Sequence, residues 1–169
     1  MERIMIIGCG GAGKSTLARR LGEKTGLPVV HLDQIFWSPG DWKHLDKAEF
    51  DALLTAEAEK EKWIIDGNYN RTLELRMAKA DTIIYLDFSR WQCMMGWLKR
   101  VITNWGKARP DMAPGCNERF DPEFVRWVWN YNRDNRQYNY ELMAKYPDVR
   151  VVILKNRRDV NRFLKQVNV

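Results

Sequence analysis

The chain has 169 residues, 45% of them hydrophobic and 30% charged, and carries a net charge of +6 from 28 Lys and Arg against 22 Asp and Glu. That is enough for one compact domain with its own core, and the composition excludes disordered, collagen-like and repeat architectures. Its longest aliphatic runs, Ile4 to Ile7 and Val151 to Leu154, are too short to cross a bilayer. Three scattered cysteines, Cys9, Cys93 and Cys116, fit neither a disulfide framework nor a metal site.

Short apolar runs alternate with longer helical patterns. Arg3 to Ile7 reads as a strand buried on both faces, because it does not alternate. Its direct start after Met1-Glu2 predicts no signal peptide, and with the unpaired cysteines it points to the cytoplasm. Lys14 to Thr25 reads as a helix stopped by Gly26, and Val29 to Leu32 as a second strand. Asp46 to Lys60 is a helix, Trp63 to Ile65 a third strand ending at Asp66-Gly67, Arg71 to Lys79 a short helix, and Thr82 to Leu86 a fourth strand. Arg90 to Trp105 has the clearest helical period, with Trp91, Met94, Met95, Leu98, Val101, Ile102 and Trp105 at steps of three and four. Core packing is the expected role of Trp91, Trp105 and Trp127, which leaves Trp97 and Trp129 for a cavity or a partner surface. Gly106 to Phe120 is loop-like. Asp121 and Pro122 look like the N-cap and first residue of a helix running to about Tyr146. Val149 to Leu154 is a fifth strand and Asp159 to Val167 a closing helix. This alternation predicts an α/β fold, a parallel sheet covered by helices on both faces in one domain of residues 1–169, with ligands beyond the carboxyl ends of the strands.

Gly8-Cys9-Gly10-Gly11-Ala12-Gly13-Lys14-Ser15 matches G-x-x-x-x-G-K-[ST] in full, between an apolar strand and a helix. Such a loop, the P-loop, turns successive N–H groups toward phosphate oxygens, and the helix N-terminus adds partial positive charge. Gly8, Gly10, Gly11, Ala12 and Gly13 are therefore expected to cradle ATP. Lys14 would reach the β- and γ-phosphates, Ser15 would hold Mg²⁺, and Thr16 would lie near the α-phosphate. A second Mg²⁺ group is expected on a carboxylate after an apolar strand. Asp66 and Asp87 both qualify, and Asp66 is preferred.

Several segments carry a resemblance. The P-loop, His31-Leu32-Asp33, Trp63-Ile64-Ile65-Asp66-Gly67-Asn68-Tyr69, Asp81 to Arg90, Arg109-Pro110-Asp111-Met112-Ala113-Pro114-Gly115 and the Trp-rich helix around Trp127 resemble the small P-loop kinases related to adenylate kinase. More narrowly, they resemble the group known as DNA topology modulation proteins (FlaR-like). The kinase resemblance implies a five-stranded P-loop NTPase sheet of order 2-3-1-4-5. It implies a mobile lid over about 106–120, carrying or flanked by Arg100, Arg109 and Arg119. It also implies phosphate-clamping arginines at Arg133 and Arg136, and adenine contacts at Lys155-Asn156-Arg157. The sequence departs from adenylate kinase in having no arginine between Arg20 and Arg71, which argues against an AMP acceptor. The lid has no paired cysteines, so no zinc is expected there.

On the acceptor side, Asp33 past the second strand would orient a hydroxyl and take its proton. Phe36, Trp37 and Trp42 would stack an acceptor ring or pack a flap. His31 reads as a strand-end residue. The leading reading is an ATP-dependent phosphotransferase acting on a small molecule, as a monomer or homodimer. The alternative is a nucleotide-binding regulator that contacts DNA, which the basic charge also favours.

Overall fold

A computed structural model describes residues 1–40 and 42–167. Five parallel strands, β1 (Arg3–Gly8), β2 (Val29–His31), β3 (Trp63–Asp66), β4 (Thr82–Leu86) and β5 (Arg150–Leu154), form one sheet in the order β2-β3-β1-β4-β5. β1 is central, pairing Ile6 with Asp66 on one side and Gly8 with Leu86 on the other. The P-loop leaves the middle of the sheet in this arrangement, and Asp66 lies one strand away at the same carboxyl end.

The pleat of β1 divides the core. Ile4 and Ile6 join a cluster with Leu17 and Leu21 of α1 (Lys14–Thr25) and Val160 and Phe163 of α7 (Arg157–Gln166). Met5 and Ile7 face the opposite cluster, with Leu32 of α2 (Leu32–Phe36), Phe50 and Leu54 of α3 (Lys47–Ala58), and Leu73 and Met77 of α4 (Leu73–Lys79). Buried successive residues in every central strand explain why their sequences do not alternate. α6 (Pro122–Ala144) serves both clusters, with Val128 and Tyr131 in the first and Leu142 and Met143 in the second. Asp121 caps it by accepting from Glu123 N–H and Phe124 N–H.

Two expectations change. The second strand stops at His31, one residue earlier than expected, and a short helix, α2, follows, so Asp33, past the strand as expected, and Phe36 stand on a helix. The apolar period of α5 (Arg90–Asn104) marks a helix as expected, but its inward face is Cys93, Trp97 and Val101. Trp91, Met95, Leu98, Ile102 and Trp105 are exposed, so Trp97 is the core residue and Trp91 and Trp105 are not. The reason is Gly96, which lets α5 approach the P-loop so closely that a Cβ there would lie 2.1 Å from Gly11 O. That contact fixes which side of the helix turns inward.

Candidate active site

The P-loop has the backbone that its glycines permit. Gly11 and Gly13 have φ of 76° and 91°, the left-handed region. α1 then starts without a side-chain cap and with no acid in its first turn. Its orphan N–H groups and positive dipole end are left for an anion. Lys14 Nζ donates to Cys9 O at 3.1 Å, which keeps the ammonium curled inside the loop.

Asp66 ends β3 beside α1. Ser15 Oγ donates to Asp66 Oδ2 at 2.8 Å, and His31 Nδ1 is bonded to Asp66 Oδ1. Burial alone would lower the pKa of His31. The bond to Asp66 and the charges of Asp66, Asp111 and Asp33 outweigh it and raise it. A hydroxyl and a carboxylate side by side are hard oxygen donors suited to Mg²⁺. Among the described residues no three His, Cys, Asp or Glu gather into a protein cage. A Mg²⁺ held by Ser15 and Asp66 would complete its shell from phosphates and water, as that ion does in nucleotide sites.

The loop after Asp66 is tied down from two directions. Asn68 Oδ1 accepts from Gly8 N–H at 2.9 Å while its Nδ2 donates to Gly8 O at 2.6 Å. Arg76, fully buried on α4, donates to the carbonyls of Gly67 (2.8 Å), Thr72 (3.3 Å) and Asn68. Burial pushes its guanidinium down to about 9 against the support of Asp66 and Tyr69. Tyr69, at φ 39°, donates its hydroxyl to Asp33 Oδ1 at 2.6 Å. Burial raises the carboxyl of Asp33 although Tyr69, Arg109 and Lys14 all favour its charged form.

Segment 106–120 folds down over this end of the sheet. Its Met112, Ala113 and Cys116 bury themselves against Trp37 and Trp42. Gln34 Nε2 donates to Pro110 O at 2.5 Å, and Gly40 N–H donates to Pro114 O at 2.7 Å. Buried Glu118 gathers Arg100 (Nη2 to Oε1, 3.1 Å) and Arg109 (Nε to Oε2, 2.9 Å), and Arg109 also meets Asp111 at 2.6 Å. Between this segment and α1 remains a cleft of about 40 Å³ lined by Ser15, Thr16, Arg19, His31, Pro110 and Asp111. A larger open groove of about 540 Å³ runs along α6, but it is lined by none of the P-loop residues.

No protein-family model matches the chain. Over 110 residues it is 26% identical to an adenylate kinase of Clavibacter michiganensis subsp. michiganensis (strain NCPPB 382). The match covers 63% of this chain and 53% of that protein, so the chain spans about half the length of the curated relative it matches. Among solved structures, a shikimate kinase from Bacteroides thetaiotaomicron superposes with TM-score 0.55 at 16% identity, covering 98% of this chain and 95% of that one. A gluconokinase from Sinorhizobium meliloti 1021 gives 0.53 at 15%, covering 98% and 92%. A sugar kinase from Janibacter sp. HTCC2649 gives 0.55 at 16%, covering 98% and 93%. The fold is that of the P-loop kinases.

Within this P-loop kinase fold, Lys14, Ser15, Thr16, Asp33 and Asp66 converge on one end of the sheet, with Arg100 and Arg109 held beside them by Glu118. Arg157 also reaches the loop. Its Nη2 donates to Gly11 O at 3.3 Å, and its guanidinium lies over the Phe88 ring. Other expected residues are engaged elsewhere. Arg133 is exposed and paired with its neighbour Asp134 rather than with the cluster, because it lies off the inward face of α6. Arg136 is bound to Asp87, which also accepts from the Tyr140 hydroxyl at 2.9 Å. That leaves Asp66 as the carboxylate beside Ser15. The Asn156 side chain caps α7 by accepting from Asp159 N–H at 3.0 Å. Arg119 lies over Trp42. His31, Asn68, Tyr69, Arg76 and Glu118 are the additional residues of the site. Asn68 and Tyr69 were signalled by the compact run Asp66-Gly67-Asn68-Tyr69 and His31 by the run His31-Leu32-Asp33, whereas Arg76 and Glu118 carried no signal of their own.

Proposed function

We propose that the protein is an ATP-dependent phosphotransferase that transfers the γ-phosphoryl group to a hydroxyl of a small molecule. The observation that carries this reading is the Ser15–Asp66 contact at 2.8 Å, which sets a carboxylate against the last residue of the P-loop motif. P-loop N–H groups and Lys14 hold the β- and γ-phosphates. Ser15 and Asp66 hold Mg²⁺, which when bound neutralises charge on the phosphates. Asp33, oriented by Tyr69 and made more basic by burial, accepts the acceptor's hydroxyl proton. The acceptor O–P bond forms as the bond from the γ-phosphorus to the bridging oxygen breaks, and ADP leaves. Segment 106–120, packed on Trp37 and Trp42, excludes water that would otherwise take the phosphoryl group. Arg100 and Arg109, whose charges act on or feel that of Asp33, would neutralise the transferred group once Glu118 releases them.

The acceptor fits best as an uncharged hydroxyl compound. Asp111 lines the cleft beside Arg19 and His31, the charges of Asp66 and Asp33 reach His31, and the nearby guanidinium groups of Arg100 and Arg109 are matched by Glu118 and Asp111. An ATP-consumption screen across nucleosides, polyols, sugars and amino alcohols tests this, with Lys14→Ala as the blank. ADP release stimulated by one neutral acceptor supports the reading. Salt-sensitive binding to duplex DNA with no stimulation by any acceptor would overturn it in favour of a nucleotide-dependent DNA-binding protein.

A further inference from the structure

The outward face of α5 carries Trp91, Met95, Leu98, Ile102 and Trp105, exposed by 65%, 63%, 42%, 68% and 61%. Their spacing of four, three, four and three is the heptad seam by which one helix receives the knobs of another. The seam is narrow, because the opposite side of α5 is fixed by Cys93 and Trp97 against the P-loop. Trp129 of α6 extends it, packed edge-on against Trp91 with ring centroids 5.0 Å apart.

We infer that this seam is the contact by which two copies of the chain pair, with α5 antiparallel to α5 about a two-fold axis at Leu98. A two-fold interface must be complementary to itself. Trp91 and Trp105 stand one heptad to either side of Leu98, and Met95 and Ile102 stand three and four residues from it. Antiparallel pairing therefore sets Trp91 against Trp105 of the second copy, Met95 against Ile102, and Leu98 against Leu98. These side chains expose roughly 600 Å² per protomer, a patch at the upper limit for a free monomer surface, and a pair would bury about 1,200 Å², the threshold of a specific interface. A membrane surface fits less well, since an interfacial helix offers a broad apolar face and not a one-residue-wide seam.

The pairing carries a signature in charge. No acid lies between Asp87 and Asp111, and Lys99 flanks Leu98, so the two Lys99 ammonium groups sit near one another across the axis. Salt screens this repulsion and tightens the dimer, whereas salt would loosen attachment to an anionic surface.

Sedimentation equilibrium of the full chain over the micromolar range, at low and high salt, tests the inference. A dimer that tightens with salt is expected. Ile102→Glu should weaken it by about 100-fold or more by burying an unpaired charge, with far-UV circular dichroism and ATP binding retained. Should that variant fail to fold, Lys99→Glu mixed with wild type at low salt decides the matter, because mixed dimers should exceed the statistical half. A wild-type chain that stays monomeric, mixing at the statistical ratio, or salt-labile cosedimentation with phosphatidylserine vesicles in place of self-association would each overturn it.

Discussion

Asn68 clamps Gly8 at two points, accepting from its N–H at 2.9 Å and donating to its carbonyl at 2.6 Å, across 60 residues of sequence. This joins the loop that carries Asp66 to the first residue of the P-loop, so the carboxylate and the phosphate cradle move as one unit. Tyr131 backs the clamp through its hydroxyl, 3.4 Å from Asn68 Oδ1, and Asn139 in turn donates to that hydroxyl at 3.1 Å.

Asn68→Ala leaves both Gly8 groups without a partner and should cost about 2–3 kcal/mol in urea unfolding. Asn68→Asp should cost more, because a charged carboxylate oxygen would then face Gly8 O with no hydrogen between them, adding repulsion to the lost bond. Equal stability of the two variants and wild type would show that the clamp carries no energy.

Gly96→Ala should be harmful although alanine is the better helix former. The new Cβ would stand 2.1 Å from Gly11 O, a backbone atom, so α5 and the P-loop must separate. A loss of about 1–3 kcal/mol in stability is expected, together with weaker ATP binding by calorimetry. Stability gained with unchanged ATP affinity would contradict the contact.

Asp33 sets stability against activity. Its carboxyl is raised above the ordinary 3.8 by burial, in opposition to Tyr69, Arg109 and Lys14. The folded chain thus binds this proton more tightly than the unfolded chain. The associated stability is complete below the ordinary value and is lost as pH rises through the folded value. Asp33→Asn removes the burden of a half-buried charge while leaving an oxygen for the Tyr69 hydroxyl. Its Tm at neutral pH should therefore rise, and the fall in Tm between acid and neutral pH should flatten. Its kcat should drop by roughly 10²–10⁴-fold for want of a proton acceptor. A lower Tm for the variant at neutral pH would refute the argument.

Arg76 is a structural cation whose hydrogen bonds go to backbone. Arg76→Met leaves the carbonyls of Gly67, Asn68 and Thr72 with lost partners and should destabilise by about 3 kcal/mol or more. Arg76→Lys should fall between, since one ammonium does not span all three acceptors. Denaturant midpoints of the three proteins give the order directly.

The sheet was legible because its central strands are buried on both faces and leave continuous apolar runs, and because glycines and an Asp-Pro cap punctuate the helices. Ser15 and Asp66 were legible too, one from the motif and one from its place after an apolar strand. The orientation of α5 was not. Periodicity identified a helix with an apolar stripe, but the closeness allowed by Gly96 turned most of that stripe outward, Val101 and part of Met94 excepted. The engagement of Arg100 and Arg109 was hidden for a similar reason. Their partner Glu118 lies 18 and 9 residues away across a loop whose path depends on Met112 and Cys116 packing against Trp37 and Trp42. Arg136 and Asp87, 49 residues apart, likewise pair only through the fold.

Calorimetry of ATP binding with and without Mg²⁺ tests the central claim, that Ser15 and Asp66 form the metal side of a nucleotide seat. Wild type should bind ATP more tightly with Mg²⁺ present, Asp66→Asn should lose that gain while keeping its metal-free affinity, and Lys14→Ala should bind weakly in both conditions. ATP affinity indifferent to Mg²⁺ in wild type, or an Mg²⁺ gain undiminished in Asp66→Asn, would contradict the account.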